Sequence, residues 1–174
     1  GLTVEGVFFL EIGDVNEAPT NPALSNAGVE ENALVGTVVG TLSADDPDAG
    51  ESLIFALVEG DGDADNAMFM IDGDSLATAA ELDYEEGATR TVRIGVTDKD
   101  GLTAESVFTI AVTDVNEGPT NLALSNTGIE ENSGVGALIG TLSADDPDTT
   151  DTLVFELTGA GQTPDNAAFT IDGQ

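Results

Sequence analysis

Apolar residues recur at every second position over short stretches of this chain, which is the spacing of strands that rest one face on a core and turn the other to water. Val92, Ile94 and Val96 alternate with small, polar or basic residues, and Phe108, Ile110 and Val112 do the same. Further β-branched and apolar runs lie at 35–42, 53–58, 69–71 and 76–78, with 23–25 as an opening strand. With 91–96 and 106–112 these make about seven short strands between residues 21 and 113. Gly, Asp, Asn and Pro clusters separate them, among them 46–50 and the hairpin turn expected at Asp98-Lys99-Asp100-Gly101. Residues 65–68 are expected to form a single helical turn. The number and spacing of strands predict an all-β, Greek-key sandwich of two sheets, of immunoglobulin-like type.

The pattern repeats. Residues 1–74 align on 101–174 without a gap, with about 42 of the 74 positions identical. Leu42-Ser43-Ala44-Asp45-Asp46-Pro47-Asp48 returns unchanged at 142–148, and Asp14-Val15-Asn16-Glu17 returns at 114–117. A period of one hundred residues is the size of a domain, so the chain is expected to be a tandem array. Residues 1–13 match the last strand of a unit, 14–20 a linker, 21–113 a complete unit, 114–120 a second linker and 121–174 the first part of the next unit. The incomplete ends point to a window on a longer array, or to completion by neighbouring copies through strand addition.

Composition narrows the chemistry. Against 34 acidic residues stand 3 basic ones, a formal charge of −31, with no histidine, cysteine or tryptophan. So much like charge repels itself unless cations neutralise part of it, and its sign argues against nucleic acid or an anionic membrane as partner. Disulfides and thiolate metal sites are excluded, and the commonest general base is missing. No run of about 18 apolar residues could span a bilayer. The carboxylates gather at segment ends, namely Glu30-Glu31-Asn32, Asp45 to Asp48, Asp83 to Glu86 and Asp114 to Glu117. In a sandwich, loops collect at the two poles, and Asp, Asn and Glu oxygens crowded there are what calcium takes.

These motifs, in this order, resemble tandem cadherin repeats of the bacterial cadherin-like kind, over the whole chain. Glu31-Asn32 matches the family's x-E-N motif, Asp46-Pro47-Asp48 its D-x-D, Asp83-Tyr84-Glu85 its D-R-E, and the segments from Asp14 and Asp114 its D-x-N-D-N linker. The resemblance implies Ca2+ at each junction. At the downstream junction it assigns Glu31, Asp83 and Glu85 from the complete unit, Asp114, Asn116 and Glu117 from the linker, and Asp146 and Asp148 from the next unit. At the upstream junction it assigns Asp14, Asn16, Glu17, Asp46 and Asp48, with Asp100 matching a late aspartate of the family. Departures are Glu17 and Glu117 at the fourth linker position, Ala18 or Gly118 at the fifth, and Ser52 or Thr152 after the D-x-D. Fewer ions than the family's usual three, or altered coordination, are therefore expected at each junction.

The expected function is a calcium-rigidified spacer or adhesive stalk outside a cell, its partners being adjacent repeats or neighbouring copies. A carbohydrate-binding module, a contact with another surface protein and a filament joined by strand complementation are the alternatives. Sugar sites stack rings on exposed aromatics, and Tyr84 is the one tyrosine here. Catalysis is not expected. Asp83 and Glu85 lie two residues apart on one segment rather than facing across a cleft, and Asp46-Pro47-Asp48 lacks the twelfth-position Glu of an EF-hand.

Overall fold

The computed structural model describes residues 1–48, 50, 52–159 and 164–173. Ala49, in the expected 46–50 turn, lies outside the described residues. The chain divides into two compact units, Gly1–Asp114 and Val115–Gln174. Among the described residues there is no α-helix, and no helix is long and apolar enough to cross a membrane.

Among its described residues the first unit holds eight strands: β1 (Thr20–Leu24), β2 (Gly28–Glu30), β3 (Val38–Asp45), β4 (Ile54–Leu57), β5 (Phe69–Asp72), β6 (Ser75–Thr78), β7 (Thr89–Thr97) and β8 (Thr103–Thr113). They form two four-stranded sheets, ordered β1-β3-β6-β5 and β2-β8-β7-β4. Between them Val39, Leu42, Phe69, Leu76, Leu82, Val92, Ile94, Ile110 and Val112 form one buried core. Val96 is buried as well, so the alternation read in β7 and β8 corresponds to the observed inward face, with Phe108 partly buried against it.

The opening stretch differs from expectation by splitting between the sheets. β1 pairs antiparallel with β3, whereas β2 pairs parallel with β8, Val29 facing Val112. Asn26 holds the crossing: its Nδ2 donates to Gly28 O at 2.8 Å and Val39 O at 2.7 Å. Gly40 makes room for it, since a Cβ there would stand 2.5 Å from Asn26 O. β3 starts three residues later than the apolar run suggested. Gly36 takes φ +91°, a left-handed conformation that breaks the strand, and Thr37 N–H turns back to Leu34 O at 3.0 Å.

Beyond β4, the loop at 58–66 continues along β7 using side chains. Asp65 Oδ2 accepts the Thr91 N–H at 2.6 Å and Asn66 Oδ1 accepts the Arg93 N–H at 2.9 Å. Asn66–Met68 forms the short helical turn expected there, as a 3-10 turn. Arg93 also pairs with Glu105 of β8, on the exposed face.

Residues 1–13 adopt no strand, although their sequence matches β8, and Leu2, Val4, Phe8, Phe9, Leu10 and Ile12 are exposed. The second unit contains β9 (Thr120–Leu124) paired antiparallel with β10 (Leu142–Asp145), and a 3-10 turn at Pro164–Ala168.

Candidate metal centre

At one pole of the first unit the segment before β1 is pinned to two aspartates. Asp48 Oδ2 accepts the Glu17 N–H at 2.9 Å, and Asp46 Oδ1 accepts the Asp48 N–H at 2.9 Å. The Asp-Pro-Asp sequence causes this fold: Pro47 cannot donate, so the Asp48 amide turns back onto the preceding aspartate. Asn16 Nδ2 donates to Asp98 Oδ2 at 2.7 Å, and Pro19 is buried. Of the residues assigned to this junction, Asn16, Glu17, Asp46 and Asp48 are thus brought together, while Asp14 is exposed.

Asp98, rather than Asp100, meets the linker. Asp100 is exposed and lies 3.4 Å from Lys99 Nζ. Asp98 is 3 % exposed, and its Oδ1 accepts the amides of Asp100 at 2.9 Å, Gly101 at 2.6 Å and Leu102 at 2.9 Å. Burial pushes this carboxyl upward. The Asn16 side chain and the amides of Leu102, Gly101 and Asp100 outweigh that push and hold it below the ordinary carboxylate value. The signal was present in the sequence, because the first residue of a tight turn is the one whose side chain caps the following amides.

One oxygen here is anomalous. Asp46 Oδ2 is buried and has no hydrogen-bond donor. A carboxylate oxygen has no proton to give, so beside Asp48 and the linker oxygens the group that suits it is a cation. By this test the residues fit a hard divalent ion.

At the opposite pole, Glu31 and Glu85 bring carboxylate oxygens within 4.8 Å of each other, and Glu85 and Asp114 do likewise. Glu31 follows directly on β2 and is buried, its backbone N–H bonded to Thr113 O at 3.0 Å, while its Oε2 accepts the Tyr84 N–H at 2.7 Å. Asp83 is exposed and its Oδ1 accepts the Glu86 N–H at 3.0 Å, so its carboxylate is used in capping its own loop. Tyr84 is partly buried and packs against the core. Sequence reasoning missed Arg90, which is 6 % exposed and donates to Asp83 O at 3.0 Å, Gly87 O at 2.7 Å and Thr89 O at 3.2 Å.

Within the second unit the first pole's pattern recurs. Glu117 N–H donates to Asp148 Oδ2 at 2.7 Å, Asp148 N–H to Asp146 Oδ1 at 3.2 Å, and Asn116 Nδ2 to Glu117 O at 2.8 Å.

The chain has relatives among known proteins. The family model described as "Cadherin domain" matches residues 25–113. Cadherin-18 of Bos taurus is 36% identical over 143 residues, covering 79% of this chain and 18% of that protein. The Drosophila melanogaster protocadherin-like wing polarity protein stan is 35% identical over 149 residues, covering 80% and 4%. The chain spans about a fifth or less of the length of the curated relatives it matches. Among solved structures, domains 1–4 of PcdhgB3 superpose with a TM-score of 0.60 at 25% identity, covering 78% of this chain and 34% of that one. Domains 1–2 of human protocadherin-24 give 0.59 at 22%, covering 88% and 72%, and support the fold alone.

Proposed function

Since the chain belongs to the cadherin domain family, whose members are extracellular and non-enzymatic, we propose that its units are calcium-stiffened beads of a surface spacer or adhesive stalk. Cadherin domains bind Ca2+ and pack in series with adjacent repeats. The observation that carries the reading is the buried, donorless Oδ2 of Asp46, next to a linker already tied down through Asn16 and Glu17. Asn16, Glu17, Asp46, Asp48 and Asp98 would hold an ion at one pole, with Asp14 and Asp100 supplying outer charge. Glu31, Glu85 and Asp114 would hold one at the other, with Asp83 shaping the loop. By the same motifs, Asn116, Glu117, Asp146 and Asp148 of the second unit would serve as calcium ligands there. When bound, calcium supplies charge neutralisation and a fixed coordination geometry; the chain's residues supply oxygens and hold the linker in register. The gapless repeat, identical at about 42 of 74 positions, fits a simple tandem array of the bacterial cadherin-like type.

The test is a calcium titration followed by thermal melting and small-angle X-ray scattering, with chelator as control. A longer, stiffer and more heat-resistant particle at micromolar to millimolar calcium is the expected result. Identical scattering and melting with chelator would overturn the reading.

A further inference from the structure

We propose that Arg90 is a positioning residue for the acidic loop at 83–87, acting through the single peptide group that joins Asp83 to Tyr84. The inference rests on the calcium reading above and deepens it. The N–H end of that peptide, from Tyr84, is donated to Glu31 Oε2 at 2.7 Å. Its C=O end, from Asp83, accepts from Arg90 Nη2 at 3.0 Å. A buried carboxylate and a buried guanidinium are thus joined head to tail across one peptide dipole, each facing the end of opposite sign.

Three further facts bear on the role of Arg90. Its remaining bonds, to Gly87 O at 2.7 Å and Thr89 O at 3.2 Å, close the same loop from behind. Its Nε is buried without a partner, an uncompensated donor left in place by the demands of the other end. Gly87 leaves the fork its space, because a Cβ on that residue would overlap Arg90 Nη1. The loop carries Asp83 and Glu85, and Glu85 is the carboxylate within 4.8 Å of both Glu31 and Asp114. Fixing the 83–84 peptide from both ends therefore fixes where Glu85 starts from, and does so before any cation arrives. A planar fork reaching several carbonyls at once is something a lysine ammonium does not reproduce.

Terbium luminescence tests this at one pole only. Tyr84 is the sole tyrosine, tryptophan is absent, and Tyr84 lies between Asp83 and Glu85, so Tyr84-sensitised emission reports on a Tb3+ ion at this loop, and calcium competition gives its calcium affinity. The amide of Glu17, followed by NMR in a calcium titration, reports on the other pole. Arg90→Gln and Arg90→Lys are both expected to weaken calcium at the Tyr84 pole by about tenfold, leaving the Glu17 midpoint unchanged. Gly87→Ala, which displaces the fork and changes no charge, is expected to weaken it in the same direction and to add nothing in the Arg90→Gln background. Folded variants with unchanged affinity would overturn the role of Arg90 alone. So would tighter binding in Arg90→Gln with Arg90→Lys unaffected, which is the result for a competing positive charge, and so would equal losses at both poles. A wild-type chain with no sensitised emission would overturn the calcium reading and this inference with it.

Discussion

Replacing Asp46 by asparagine should change sign with the cation. The side chain keeps its size and an oxygen for the Asp48 N–H, while the buried oxygen without a donor becomes an amide nitrogen. Without a bound ion, an unsatisfied buried acceptor costs about 1–3 kcal/mol, and the nearby carboxylate of Asp48 adds repulsion. Under chelator, Asp46→Asn is therefore expected to be neutral or to stabilise the first unit by up to about 1 kcal/mol. With calcium at a hundred times the wild-type Kd, a filled site contributes about 2.7 kcal/mol; a variant binding a hundredfold more weakly retains only about 0.4, a loss of about 2.3 kcal/mol. Urea unfolding followed by circular dichroism, once in chelator and once in calcium, measures both. A loss of equal size in the two conditions would refute the reasoning, since the oxygen would then be serving the protein alone.

Three more outcomes follow from the structure. The Asp98 carboxyl is held below its ordinary value of 3.8, so its contribution is fully present above that pH and is lost as pH falls through the lower folded value; an acid titration by NMR should show the Asn16 side-chain amide released in this window, and Asp98→Asn should flatten the matching limb of the stability curve. Gly40→Ala forces a Cβ to 2.5 Å from Asn26 O and 2.9 Å from Asn26 N, which is expected to cost about 1–3 kcal/mol and to lower Tm by roughly 5–15 °C in scanning calorimetry. Ile110→Ala, at a position with no exposure, should cost about 2–5 kcal/mol with an unchanged urea m-value, and a much smaller loss would place Ile110 outside the core.

The alternation in β7 and β8 was legible because period two is a local property, read over three or four residues. What was not legible depends on distant partners. Nothing in Asn26-Ala27-Gly28 announces that β2 leaves the sheet of β1 to run parallel to β8; that follows from Gly40, twelve residues beyond Gly28, making room for the crossing. The acidic clusters were visible as composition, and the pinning of Glu17 by Asp48 agrees with the motif assigned to them. Asp98 was overlooked in favour of Asp100 because both sit in one acidic turn, although its place as the first residue of that turn is what sets its side chain to cap the amides that follow. Arg90 was invisible for a different reason: it fell just before the strand read at 91–96, and the carbonyls of Asp83, Gly87 and Thr89 that hold its guanidinium converge on it only in the folded loop.

The side-chain ladder that Asp65 and Asn66 lay along β7 bears on how such an array is made. Sibling units that share most of their sequence can mistake one another's strands while still emerging from the ribosome, because the registers match. An amide of Thr91 or Arg93 left open would be a vacancy for the neighbour's chain. Two polar side chains only twenty-odd residues away fill it at once, without waiting for a distant strand, and the same Asp-Asn pair recurs at 165–166, where Asn166 Nδ2 holds Thr158 O at 2.7 Å. In the first unit that edge is thereby closed by the unit's own residues, leaving those amides no opening for a look-alike strand.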